Sequence, residues 1–379
     1  MIFPKPLKYS HVLASFLLAF MAHADAASST SGTSSMQAAS GATRHATPSP
    51  ADGGGFGSLP QWEAISGFID RMVAKHGFAR AELEAVFRQV QYVDRAVQLI
   101  KPAPSGQRKN WQAYRSRFVE PVRIDAGAAF WNDHADALAR AERQYGVPAE
   151  IIVGILGVET IYGRNTGNFR VLDALTTLAF DYPDTPTRDA RMDFFRSELE
   201  STLLFARDSG IDPLSLFGSY AGAIGLPQFM PDSIREFAVD FDGDGRIDLR
   251  NSPADAIGSV ANFLARHGWV RGEPIVFPVT VSENENERGW EMFIGQGLEA
   301  RFKLDELKAA GVKPTVAPPA DMLYGLVDLQ NGDEPTEYWL GARNFFAITR
   351  YNRSYFYAMS VVDLGRAVRV ARDSAAAGL

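Results

Sequence analysis

The segment that most restricts the fold is Pro148-Ala149-Glu150-Ile151-Ile152-Val153-Gly154-Ile155-Leu156-Gly157-Val158-Glu159-Thr160, an apolar run that closes on a carboxylate. Its pattern fits a helix sunk in protein, with Pro148 suited to the first turn. At about 100° per residue, Ile152, Ile155 and Glu159 share one face, so an ionisable group points where a core should be. Gly154 and Gly157 remove side-chain bulk and admit close approach by another element or a ligand. Desolvation disfavours a carboxylate and lifts its pKa, as a general acid working near neutral pH requires. The same helix reads equally well as a structural one whose Glu is neutralised by an arginine or a backbone amide. The rest of the chain has to separate the two readings.

The chain has 379 residues, 46% of them apolar, enough for a large core and two or three subdomains. A net charge of −7 argues against a nucleic-acid partner. The absence of cysteine excludes disulfides, thiol nucleophiles and cysteine-ligated zinc. Lys5 and Lys8, the apolar stretch 12–22 and Ala22-His23-Ala24 read as an export signal over residues 1–24. An uncleaved N-terminal anchor is the alternative. Residues 25–58, rich in Ala, Ser, Thr and Gly, read as a flexible linker, and the catalytic region is expected over 59–375. Without a cysteine for lipid attachment, the expected product is soluble and periplasmic, not a lipoprotein.

The apolar periodicity predicts a mainly α fold with a small β part. Trp62, Ile65, Phe68, Ile69 and Met72 mark a first helix. Others are expected over 81–90, 128–145, 147–162, 172–179, 190–208, 253–267 and 354–375. A strand over 275–281, a short helix over 303–310 and strands near 323–329 and 337–340 form a small β element at about 273–340.

Two further segments bear on Glu159. Gly218-Ser219-Tyr220-Ala221-Gly222-Ala223-Ile224-Gly225-Leu226-Pro227-Gln228-Phe229-Met230-Pro231 is glycine-rich and low in charge. Backbone at such glycines can lie close to a sugar, and Gln228 can both donate and accept hydrogen bonds. Arg350-Tyr351-Asn352-Arg353-Ser354-Tyr355-Phe356-Tyr357 sets tyrosines beside an amide, which suits a polyol with apolar faces. Each also reads as ordinary structure, a tight loop or an aromatic helix start.

Taken together, the Glu-Thr-x-Tyr-Gly-Arg-Asn-x-Gly run from Glu159, the Gly-Ser-x-Ala-Gly-Ala-x-Gly-x-x-Gln-Phe-Met-Pro run and the tyrosine-rich segment resemble the lytic murein transglycosylase B family. The resemblance covers about residues 60–372 and implies a lysozyme-like core. It implies Glu159 as the acid/base, with Tyr114, Ser219, Gln228, Phe229, Phe263, Tyr351, Asn352 and Tyr357 lining the substrate cleft. Phe263 departs from the family, which can place a tyrosine there, so a hydroxyl contact is in doubt at that position. The implied reaction cuts the MurNAc–GlcNAc β-1,4 bond without water and leaves a 1,6-anhydroMurNAc end. Ordinary glycosidases pair two carboxylates across the bond, and these motifs contain no second one. Asp173 and Asp181 lie downstream, outside the motif of Glu159. A hydrolytic muramidase and a non-catalytic peptidoglycan-binding protein remain the alternatives. The expected partners are peptidoglycan glycan strands and cell-wall synthesis enzymes, and the expected state is a monomer.

Asp240-Phe241-Asp242-Gly243-Asp244-Gly245-Arg246-Ile247-Asp248 matches the start of an EF-hand loop. Asp240, Asp242 and Asp244 would give carboxylates and Arg246 a backbone carbonyl. Asn251 stands where a bidentate Glu is expected, and Asp255 is the candidate replacement. The resemblance implies a structural Ca2+ there and no catalytic cofactor. An acidic turn that binds nothing is the alternative.

Overall fold

The computed structural model describes residues 56, 59–102, 106, 108–282 and 284–377. The expected export signal and almost all of the expected linker lie outside the described residues. The chain divides into two compact units, one from 59–101 with Phe169–Gly222, the other from Pro102–Asn168 with 223–377.

The first of these is helical. Its centre is the helix Val171–Phe180, every residue of which is buried. The long helix Arg188–Ser209 packs along it, and Leu59–His76 and Asp94–Leu99 pack beside it. Two carboxylates in this unit have structural partners. Asp173 binds Arg170 and accepts from the Gln91 amide at 3.0 Å. Asp181 accepts from the Tyr92 hydroxyl at 2.8 Å.

The second unit is built on the helix Ala149–Thr160, in which ten residues are buried. A helix apolar on all sides needs neighbours on all sides. They are Pro121–Asp133, Ala135–Tyr145, Pro253–Arg266 and Tyr355–Ala376. Tyr355–Ala376 comes closest, because a Cβ on Gly154 would lie 2.3 Å from the Val361 carbonyl oxygen and one on Gly365 2.2 Å from that of Glu150. The bulk missing from Gly154 therefore admits another helix.

The sequence pattern over 128–145 predicts one helix, and the structure has two, joined at His134 with φ −121° and ψ 26°. Asn132, Asp133 and His134 are poor helix formers that compete for backbone hydrogen bonds, and the chain breaks at their end. The pattern also misses the short helices Trp111–Arg115, Pro231–Phe237 and Arg343–Ile348, which are too brief to show a period. The β part of this unit is an antiparallel sheet of five strands in the order Phe302–Lys303, Leu323–Asn331, Glu334–Gly341, Val276–Val281, Val312–Pro314, and the first unit adds a two-stranded sheet of Phe169–Arg170 with Phe217–Gly218. Leu304, Leu307, Tyr324, Leu326 and Leu340 form the larger sheet's own small core.

Candidate active site

Glu159 stands in the last turn of Ala149–Thr160, beyond the buried Ile152 and Ile155. The helix stops on Ile161 in the left-handed region at φ 51°, followed by Tyr162 at 56°. Gln228, at φ 51°, is the third non-glycine residue in that region among the described residues. Such conformations cost roughly 1–2 kcal/mol each for an L-residue and persist only where surroundings hold them. Thr160 supplies part of that hold: its buried hydroxyl donates to the Leu226 carbonyl at 2.9 Å and accepts from the Gly163 amide at 3.0 Å. One side chain thus joins the loop after Glu159 to the turn before Gln228. Gln228 itself is buried, and its amide donates to the carbonyls of Thr166 and Gly225.

Glu159 is half-buried as a residue, and protein surrounds its carboxyl on all sides at longer range. Burial pushes its pKa up to about 7, against a hydrogen bond that pulls the other way. That bond comes from the Tyr357 hydroxyl, which donates to Glu159 Oε1 at 2.6 Å. No second carboxylate contributes to the shift. The phenols of Tyr114, Tyr351 and Tyr357 are all raised above their usual range, first by burial and then by the charge of Glu159. The Tyr114 hydroxyl is buried without a hydrogen-bond partner among the described residues.

Tyr351 stacks on Tyr357 at 6.3 Å between ring centres, and its hydroxyl donates to the Pro227 carbonyl. Phe263 lies 4.9 Å from Tyr351 and 5.6 Å from Phe229. His267, the C-cap of Pro253–Arg266, stacks on Phe263 at 4.0 Å. Tyr357, Phe229 and Phe263 are buried, so they support the acid and the Gln228 turn more than they offer surface, and Asn352 is buried as well. Ser219 belongs to the other unit, where it is buried and its hydroxyl accepts from the Ala221 amide at 3.3 Å. Sequence reasoning did not single out Thr160 or Arg123. Buried Arg123 donates through Nε to the Gly157 carbonyl at 3.2 Å, near the C-terminal end of the Glu159 helix. A cation there complements the helix dipole, but nothing in the spacing of residue 123 advertises it.

Tyr357→Phe separates the two influences on Glu159. The lost bond favoured the charged form, so the carboxyl pKa rises further. The alkaline limb of the pH–rate profile should move to higher pH while the rate at its plateau falls. An alkaline limb that moves down would contradict this role.

The acidic loop lies in the same unit. Carboxylate oxygens of Asp240, Asp242 and Asp244, all exposed, come within 4.8 Å of one another. Gly245 takes φ 87°, as the sharp turn requires. Arg246 is exposed and its amide donates to Asp244 at 2.8 Å. Asp255 is not brought into this cluster. It is buried, and its carboxylate accepts from the amides of Phe241, Asp242 and Asp248, tying the loop to the next helix. Three hard oxygen donors on one turn fit a calcium-type cation, with other ligands from backbone or water.

Residues 61–366 match the family model described as the transglycosylase SLT domain. The chain belongs to that family. It is 44% identical over 329 residues to the membrane-bound lytic murein transglycosylase B of Escherichia coli, covering 84% of this chain and 86% of the relative. Among solved structures, the soluble lytic transglycosylase SltB1 of Pseudomonas aeruginosa superposes with a TM-score of 0.74 at 47% identity, covering 82% of this chain and 99% of SltB1. The E. coli lytic transglycosylase Slt35, solved in complex with calcium, gives 0.73 at 43% identity, covering 84% and 96%. The mainly helical, lysozyme-like fold with its small sheet is the fold of these transglycosylases. No helix among the described residues is long and apolar enough to cross a membrane.

Proposed function

We propose that Glu159 acts first as acid and then as base in this chain, a peptidoglycan lytic transglycosylase by family and by relatives. One observation carries the assignment: the carboxyl is held at a pKa of about 7 by burial, with a phenol as its hydrogen-bond partner and no second acid acting on it. Protonated Glu159 gives its proton to the oxygen between MurNAc and GlcNAc, and the bond to the MurNAc C1 breaks. The MurNAc acetamido group stabilises the cationic centre. Glu159, now a carboxylate steadied by Tyr357, takes the proton from the C6 hydroxyl, and O6 closes on C1. One C–O bond is broken and one formed, water is not consumed, and Glu159 regains its proton. An internal nucleophile reacts with the advantage of proximity.

The unpartnered Tyr114 hydroxyl offers a hydrogen bond to the bound sugar. Gln228 and Ser219, by resemblance, serve the N-acetylmuramyl side. The substrate places the working protein at the cell wall, exported to the periplasm. Mass spectrometry of digested peptidoglycan tests the reaction: 1,6-anhydro ends are lighter by one water than reducing ends. A product set made only of reducing ends would make the enzyme a hydrolase and overturn the reading.

Asp240, Asp242 and Asp244 hold a structural Ca2+, in keeping with the calcium complex of Slt35. Calcium should raise the melting temperature, and a chelator should lower it, while the chemistry persists at low temperature. Asp240→Asn should remove the response to the ion. A melting temperature indifferent to calcium would count against the site.

A further inference from the structure

The sheet has an opening that the reaction at Glu159 does not use. Val276–Val281 and Glu334–Gly341 pair from Val276–Gly341 as far as Val279–Tyr338 and then part. The same register would go on to set Thr280 against Glu337 and Val281 against Thr336, and neither pair forms. An antiparallel residue turns its N–H and C=O to one neighbour, and the direction alternates along the strand. The Ser282 amide donates to Gly311 and the Pro278 carbonyl accepts from Thr315, both on the far side of the strand. The alternation therefore turns the backbone of Val281 into the opening. Thr336, two residues from Tyr338, faces it from the other edge.

The result is a cleft of about 790 Å³, within the range of small-ligand sites. Trp290, Tyr338 and Trp339, each half-buried, line it. Trp290 and Tyr338 meet edge to face at 5.1 Å, and the Trp290 indole donates to the Ser282 carbonyl, which fixes that wall. One rim cation is paired and one rim carboxylate keeps its charge. Arg288 lies 3.7 Å from Glu291, and Glu337 accepts from the Gln112 side chain. Among the described lining residues no cation is left over to select an anion. The cleft turns away anions and suits a ligand that carries an amide for the two strand edges and a flat apolar face for a ring.

We propose that this cleft is a second binding site for N-acetylglucosamine units of a glycan strand, separate from the site at Glu159. The acetamido group takes the place of the missing strand partner, and one sugar face lies on the Trp339 indole, which points to the sheet face opposite Tyr338 and Trp290. The proposal rests on the peptidoglycan reading for the source of the glycan, not for the chemistry of the cleft. Gln112, which holds Glu337, shares the short helix Trp111–Arg115 with Tyr114. A strand gripped at the cleft is thereby tied to the element that carries a tyrosine of the active site.

The test is calorimetric titration of chitotriose into the full chain carrying Glu159→Gln. Two binding events are expected. Adding Trp339→Ala should weaken one of them by about tenfold or more, as loss of an aromatic anchor does. Trp339→Phe should retain both. Thr280→Trp, at an exposed rim position, should fill the cleft and remove the same event without unfolding the sheet. A single event in the parent, two unaltered events in Trp339→Ala and Thr280→Trp, or displacement from the cleft by a sugar-free stem peptide would each overturn the site. Anhydro products from Trp339→Ala with Glu159 intact report on the lyase separately. Their absence in the wild type would defeat the lyase and leave the titration result standing.

Discussion

Glu159→Gln should abolish turnover and, above pH 7, make the protein more stable. The first effect follows from giving one side chain both proton transfers. Each is worth about 10²–10⁴-fold, and no other carboxylate among the described residues shifts Glu159, so the rate should fall by at least about 10⁴-fold. The second follows from linkage. The folded-state pKa, about 7, lies above the ordinary carboxyl value of 4.5, so between these the folded protein binds the proton more tightly than the unfolded chain. Stability is therefore lost as pH climbs from 4.5 toward 7 and stays lost above it. The loss is about 3 kcal/mol, set by the tension between burial and charge. Glutamine carries no charge to desolvate and can still accept from Tyr357. Its melting temperature should exceed that of the wild type by about 5–10 °C at pH 8, with the gap closing near pH 4.5. Equal melting at both pH values would mean that the carboxyl is not strained by its surroundings.

Gly154→Ala should be among the most damaging single-methyl changes in the chain. The new carbon would sit 2.3 Å from the Val361 carbonyl oxygen, a backbone atom that cannot rotate away. Gly365→Ala meets the Glu150 carbonyl at 2.2 Å from the opposite helix. Either change forces Ala149–Thr160 and Tyr355–Ala376 apart, at a cost of about 3 kcal/mol. The melting temperature should drop by about 10 °C. Because Glu159 and Tyr357 ride on these two helices, their 2.6 Å hydrogen bond should lengthen and the rate should fall even where the fold survives. Gly67→Ala is the control. That glycine lies within Leu59–His76 with nothing within 4 Å of the added carbon. Helix propensity alone should then stabilise the protein by about 1 kcal/mol. Equal losses at all three positions would show that close helix approach is not what Gly154 and Gly365 provide.

Much of the candidate site was legible because it is local. Glu159 was readable from three-and-four spacing within one helix, and the turn around Gln228 from its glycines and proline. Tyr351 and Tyr357 stood out as a cluster without showing which of them reaches the acid. Thr160 and Arg123 drew no signal of their own, and Tyr114 was named by resemblance without any sign that its hydroxyl would be left unpartnered. Their partners, Leu226, Gly157 and the neighbourhood of Glu159, are dozens of residues away in sequence. Asp255 was legible as a carboxylate near the acidic loop. That its oxygens serve three backbone amides was not, since hydrogen-bond acceptance leaves no mark on composition.

The amino-acid sequence alone determined that the chain is mainly helical, that one helix must be buried on every side, and that this helix carries an acid among its apolar residues. Those properties follow from periodicity and hydrophobicity, which act within a few residues. Only the tertiary structure decided which hydroxyl holds the acid, which helix fills the space left by Gly154, and where two strands part to leave a cleft. Those are contacts between distant segments, and their energies depend on distances that no local pattern encodes.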